Sequence, residues 1–149
     1  MKIDIKLMAD ESFLPEYGSD GAGGADLRAN IKEPLIVAPG QKVKIPTGIA
    51  LYICDPGYIG LLCSRSGHAL RDFKVNAEPG LIDSDFQGEL TVNMKNFSNV
   101  PYTINHGERF CQIAIVPVVR GIFNIVENFS ETSARGEKGF GSTGKMNVV

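Results

Sequence analysis

Several short segments of this chain carry residues whose types and spacing suit phosphate chemistry. The last is Arg135-Gly136-Glu137-Lys138-Gly139-Phe140-Gly141-Ser142-Thr143-Gly144-Lys145. Its glycines let backbone N–H groups turn toward an anion, its hydroxyls and cations add donors, and Phe140 can cover a flat heterocycle. Together these parts suit a nucleoside polyphosphate. Ser64-Arg65-Ser66-Gly67 lies between an apolar run and a short helical pattern. A strand, a turn and a helix start make an anion site. Arg65 can donate bidentately to a phosphate, and Ser66 can add a hydroxyl or serve as an N-cap. Pro79-Gly80-Leu81-Ile82-Asp83-Ser84-Asp85-Phe86-Gln87-Gly88 places Asp83 at the end of an apolar pair. A carboxylate there can orient and deprotonate a water; the alternative is a hairpin whose aspartates make Asx-turns. Gly24-Ala25-Asp26-Leu27-Arg28-Ala29 sets an acid and a base two apart, which also fits a surface ion pair on an edge strand. Gly107-Glu108-Arg109-Phe110-Cys111-Gln112 reads as a turn entering a core strand, with Gln112 as a rim residue or a ligand donor.

The elements that must position these residues are strands. Ile3, Ile5 and Leu7 alternate with polar residues, as do Leu90, Val92 and Met94, and period-2 patterning predicts half-buried strands. Gly48–Ile53 and Tyr58–Leu62 flank Asp55-Pro56-Gly57, which predicts a hairpin turn. Ile113–Val119 predicts a core strand with a bulge or edge at Pro117, and Ile122–Val126 predicts one more strand. Only His68–Phe73 has the pattern of a short helix. Many short strands with Gly/Pro punctuation predict a sandwich, jelly roll or barrel. The division expected is a β domain over 1–127 and a flexible C-terminal arm over 128–149. Gly139–Lys145 matches G-x-x-x-x-G-K, but Met146 stands where Ser or Thr is required, so a P-loop is set aside.

Bulk properties narrow the class further. The chain has 149 residues, of which 43% are hydrophobic, as expected for one globular domain. The net charge of −2 carries no basic stripe, which argues against nucleic acid as a partner. There is no long apolar run for a membrane helix and no signal-peptide core at the start. Cys54, Cys63 and Cys111 lack CxxC spacing and read as reduced core thiols of a cytoplasmic protein, not as a zinc site.

The segments, in this order and spacing, resemble the five motifs of the trimeric dUTP pyrophosphatase (dUTPase) family. Gly24–Ala29 resembles the first, Arg65–Gly67 the second, Gly80–Gly88 the third and most specific, Gly107–Gln112 the fourth, and Arg135–Ser142 the fifth. The resemblance implies an all-β, jelly-roll-like fold of the β-clip type with one short helix. It implies a homotrimer with shared sites and Mg²⁺-dependent hydrolysis of dUTP to dUMP and pyrophosphate, which keeps uracil out of DNA and supplies dUMP for thymidylate synthesis. By the match, Asp83 activates the water. Arg65, Ser66, Gly67 and Gln112 hold phosphates, Arg135, Gly141 and Ser142 close over the triphosphate, and Phe140 stacks on the base. Gly80, Leu81, Ile82 and Phe86 shape the nucleoside pocket. Mg²⁺ would rest on the triphosphate and water, with Asp26 in the outer sphere. Three positions depart from the family pattern. Ser64 replaces a usual proline, with a looser turn expected. Phe86 replaces a usual tyrosine. Ala77 stands where a uracil-facing asparagine is expected, and Asn76 falls one residue short. The related dCTP deaminases place a catalytic glutamate where this chain has Asn93, which cannot act as a general acid or base. A regulator of the same fold that uses nucleotide as a switch is the other alternative.

Overall fold

The computed structural model of the chain describes residues 1–65 and 75–137. Among these, eleven strands and one 3₁₀ turn (Glu11–Phe13) form the regular structure. One sheet runs β2 (Glu16–Tyr17), β3 (Ala25–Arg28), β11 (Arg109–Pro117), β6 (Tyr58–Ser64), β8 (Gly80–Ile82). A second runs β1 (Asp4–Leu7), β5 (Lys42–Tyr52), β9 (Glu89–Asn96), β7 (Val75–Ala77). A small sheet pairs β10 (Tyr102–Ile104) with β4 (Leu35–Val37). Every pairing is antiparallel. The all-β, jelly-roll-like expectation holds. The helix expected at His68–Phe73 lies outside the described residues.

Alternation decides which faces are buried. On β9, Leu90, Val92, Met94 and Asn96 point into the core while Thr91 and Asn93 are exposed. The opposing sheet contributes Leu27, Leu62, Phe110 and Ile113. Burial of such side chains stabilises by about 1.5–3 kcal/mol each. Asn96 is the polar keystone of this core. Its amide donates to the carbonyls of Val37 (2.9 Å) and Val100 (2.8 Å), and its oxygen accepts from the Ser98 N–H (2.9 Å). It thereby ties β9 to the small sheet.

Two expectations need correction. Asp55-Pro56-Gly57 does not close a hairpin: β5 and β6 lie in different sheets, so the turn is an arch between layers. Its geometry is nevertheless a true turn, with Asp55 Oδ1 accepting from the Gly57 N–H at 2.8 Å. Cys54 enters it at φ 66°, its N–H donating to the Ser84 carbonyl. A bulge explains Pro46 in the long strand β5: the register with β9 breaks between Pro46 and Ala50. At the bulge Gly48 has φ +72°, and a Cβ there would lie 2.9 Å from that of Ala9. Nor is Ile122–Val126 a strand. β11 ends at Pro117, and Val119, Ile122, Phe123 and Ile125 are each at least 97% exposed. The pattern is right for a strand, but these residues make no ladder with this chain.

Removing the Asn96 amide leaves buried carbonyls unpartnered. Asn96→Ala should lower unfolding free energy by about 2–4 kcal/mol. Urea denaturation checks this, and a loss near zero would refute the keystone role.

Candidate active site

The site begins with a register. On the five-stranded sheet Gln112 of β11 pairs with Asp26 of β3 on one side and Cys63 of β6 on the other. These residues share the outer face, since Cys111 and Ile113 point inward. Asp26 is only 8% exposed. Two arginines account for that burial. Arg65, one residue past β6, donates from Nε to Asp26 Oδ1 at 2.6 Å and from Nη1 to the Arg109 carbonyl at 3.0 Å. Arg109 donates from Nη1 to Asp26 Oδ2 at 3.4 Å. One carboxylate thus spans two guanidiniums, so among the described residues the cluster carries one more positive than negative charge.

Gln112 secures the floor. Its amide donates to the Ser64 carbonyl at 3.0 Å, at the point where β6 ends. A Cβ at Gly24 would lie 2.9 Å from Gln112 Oε1, so a glycine there lets the glutamine lie flat. Gln112 is half-buried, with its amide turned toward the end of β6.

Residue type and spacing give Arg109 no distinct role. Strict alternation would send it to the core face with Cys111. A bulge between Arg109 and Cys111 re-aims it, which is why Phe110 and Cys111 are consecutively buried. Nothing in residue spacing announces such a bulge. The surface pair expected between Asp26 and Arg28 is also corrected. Arg28 bonds Glu16 (3.2 Å) and the Gly107 carbonyl (3.1 Å), and β3 is an interior strand.

The third segment forms a separate corner. Gly80, Leu81 and Ile82 make β8, paired with Leu62, Leu61 and Gly60 of β6. Asp83 follows in a turn whose Asp83 carbonyl accepts from the Phe86 N–H at 3.1 Å. Asp83, Ser84 and Asp85 line an open cleft of about 500 Å³ with Cys54, Tyr58 and Arg120. The neighbouring Cys54 thiol raises the Tyr52 hydroxyl above its ordinary pKa. Phe86 lies against Gly88, where a Cβ would sit 2.6 Å from the ring. Ala77 is buried on β7, its carbonyl accepting from Ser64 Oγ at 3.1 Å.

The two corners are far apart. By continuation of the β8 register Asp83 lies level with Ile59, four residues along β6 from Cys63 and three strands across from Asp26. That is roughly 13 Å along and 14 Å across, about 20 Å on the diagonal. The structure joins Asp26, Arg65, Arg109 and Gln112, and it keeps Asp83 away from them. Arg135 lies on the exposed segment after β11. Ser66, Gly67, Phe140, Gly141 and Ser142 lie outside the described residues.

The cysteines are free and dissimilar. Cys111 is buried, and burial pushes its thiol pKa well up. Cys63 is half-buried and Cys54 exposed, so the expectation of three core thiols holds only for Cys111. Among the described residues no cluster of three His, Cys, Asp or Glu could cage a metal, and no helix is long and apolar enough to cross a membrane.

An antiparallel β protein with a buried acid gripping two arginines at one corner and an exposed-acid turn at another has the parts of a phosphate-ester or anhydride enzyme. Comparison with known proteins agrees. A dUTPase family model matches residues 10–144. The deoxyuridine 5'-triphosphate nucleotidohydrolase of Paraburkholderia phymatum is 47% identical over 148 residues, 97% of this chain and 99% of that protein. That of Actinobacillus pleuropneumoniae serotype 3 is 46% identical, with 97% and 99% covered. Among solved structures, a variant of the Staphylococcus bacteriophage 80alpha dUTPase with dUpNHpp superposes with a TM-score of 0.86 at 32% identity, covering 96% of this chain and 98% of that one. The chain belongs to the dUTPase family, and it is an enzyme of the dUTP diphosphatase class.

Without Asp26 the two guanidiniums would face each other uncompensated. Asp26→Asn should lower kcat/KM roughly ten- to hundredfold with an unchanged circular dichroism spectrum. Wild-type kcat/KM in this variant would show that Arg65 is held some other way.

Proposed function

We propose that the chain hydrolyses dUTP to dUMP and pyrophosphate as a homotrimer in which each site combines segments from more than one subunit. The observation that carries this reading is the sheet order and register that set Asp83 and the Asp26–Arg65–Arg109 cluster on strands three apart, about 20 Å at ordinary strand spacings. A general base must lie within hydrogen-bond reach of the attacking water. Asp83 and Arg65 of one chain therefore belong to different sites, and a second copy brings the complement. Two features support the assembly. The outer face between the corners carries Ile59, Leu61, Leu81, Ala114 and Val116, and Leu81 is 68% exposed. The segment after β11 also exposes Ile122, Phe123 and Ile125. Apolar surface of this extent is what an obligate oligomer buries.

In the proposed reaction Asp83 accepts a proton from water as its oxygen bonds to a phosphoanhydride phosphorus. The anhydride P–O bond breaks and pyrophosphate leaves with the electron pair. Arg65, held by Asp26 and the Arg109 carbonyl, is pre-aimed at the phosphates, so little reorganisation remains when charge develops. Ser66, Gly67 and Gln112 complete that half. Gly80, Leu81, Ile82 and Phe86 hold the nucleoside, with Ala77 or Asn76 near the base. Both oxygens of Asp26 are engaged by arginine, which fits an outer-sphere role and not direct ligation. The donor set thus fits a Mg²⁺ carried by triphosphate oxygens and water, and when bound that ion neutralises phosphate charge. The bacteriophage phi11 dUTPase, 26% identical here, is described with a structural Mg(II) ion. We place the enzyme in the cytoplasm, guarding DNA from uracil and feeding thymidylate synthesis. The arm over 128–149, with Arg135, Phe140, Gly141 and Ser142, closes over bound nucleotide and excludes water. Deamination of dCTP is disfavoured because Asn93, exposed on β9, offers an amide where a proton-relaying acid is needed.

Asp83→Asn should abolish pyrophosphate release, by a factor of roughly 10³ or more, while dUpNHpp still binds. Near-normal turnover would refute the water-activating role. Truncation after Ala134 should leave the oligomer intact by light scattering but sharply reduce kcat; a fully active truncation would remove the arm from the mechanism.

A further inference from the structure

Ser64 stands where the family pattern has proline, and a looser turn is the expectation from that difference. The structure reverses it. Ser64 is the last residue of β6, in the five-stranded sheet, while Ala77 ends β7, the edge strand of the other sheet. Ser64 Oγ donates to the Ala77 carbonyl at 3.1 Å. The bond therefore crosses between layers at the edge of the second sheet, next to the point where the Glu78 N–H bonds the Asn93 carbonyl of β9. Ser64 also accepts, through its own carbonyl, the 3.0 Å bond from Gln112. One residue thus binds to β7 by its side chain and to β11 by its main chain. Arg65 departs from this doubly held point to reach Asp26 and Arg109.

We propose that the Ser64 hydroxyl is a positioning residue for the phosphate clamp. A proline ring stiffens such a point by restricting its own φ. Serine does so by an inter-sheet hydrogen bond, which proline cannot donate. The inference rests on the dUTPase reading above, in which Arg65 holds the triphosphate. It adds that the aim of Arg65 depends on the tie to β7. Because Arg65 fixes phosphates, while Ala77 near the base keeps its place in the β7–β9 pairing without Ser64, loss of the tie should weaken triphosphate ligands selectively.

The test measures binding of dUpNHpp and of dUMP to the full-length protein by calorimetry, alongside melting temperature. In Ser64→Ala, Kd for dUpNHpp should rise roughly three- to tenfold while Kd for dUMP stays at the wild-type value. Ser64→Thr, which keeps the donor, should restore dUpNHpp affinity. A general structural role would weaken both ligands in parallel and lower the melting temperature, and that result would overturn the proposal. So would wild-type dUpNHpp affinity in Ser64→Ala. If the wild-type protein binds neither ligand, it is the dUTP assignment that fails. If the wild type binds both and Ser64→Ala changes nothing, only the role of Ser64 fails.

Discussion

The register of β11 between β3 and β6 is the constraint on which the rest of the molecule depends. It places Asp26, Gln112 and Cys63 in one row on the outer face and Leu27, Cys111 and Ile113 on the inner one. Side chains alternate with a period of two, so a slip of one residue would drive Asp26 into the core and Leu27 into solvent. Burying an unpaired carboxylate costs far more than the slip could return. The glycines hold the register sterically: a Cβ at Gly60 would sit 3.0 Å from Ile113 and 3.1 Å from Ile82. Core packing and the Asp26–Arg65–Arg109 cluster are therefore two faces of one alignment.

Electrostatics follow from that alignment. Asp26 is shared by Arg65 and Arg109, so the arginines are ordered before any ligand arrives, and among the described residues two positive charges share one negative. Asp83 lies on the other side of β6 in a cleft with Asp85 and Arg120. Had the fold put Asp83 beside Arg65 in one chain, the two would pair, and the carboxylate would be spent on the arginine. Separation within a chain keeps the Asp83 carboxylate and the arginine pair from neutralising each other. In the reading proposed above, assembly then supplies the proximity that the single chain withholds.

Edges and arches do the remaining work. Asp55-Pro56-Gly57 sends the chain from one sheet to the other, and the Cys54–Ser84 backbone bond locks that arch to the turn that carries Asp83. The Ser64–Ala77 bond ties the layers at the opposite end of β6. Asn96 links β9 to the small sheet, and the bulge at Gly48 lets β5 carry a proline. Each device fixes a place where one element would otherwise be free to shift against another.

Much of this was legible in the residues. Alternation in Leu90–Met94, the apolar run from Ile113 and the Gly/Pro punctuation were enough for an all-β fold, because period and turn chemistry are local properties. The phosphate-binding and water-activating candidates were legible from residue type and order. Three things were not. Whether Asp55–Gly57 closes a hairpin or an arch depends on which sheet each flanking strand joins, and that is set by distant partners. The re-aiming of Arg109 needs a bulge that only the match of β11 to β3 creates. The apolar residues at Ile122–Ile125 have strand character, but a strand exists only where a ladder partner is present. The sequence by itself determined the element types and the chemical inventory. Tertiary structure alone decided that Asp26 joins Arg65 and Arg109, that Ser64 reaches Ala77, and that Asp83 stands apart, because hydrogen bonds between strands depend on register and not on distance along the chain.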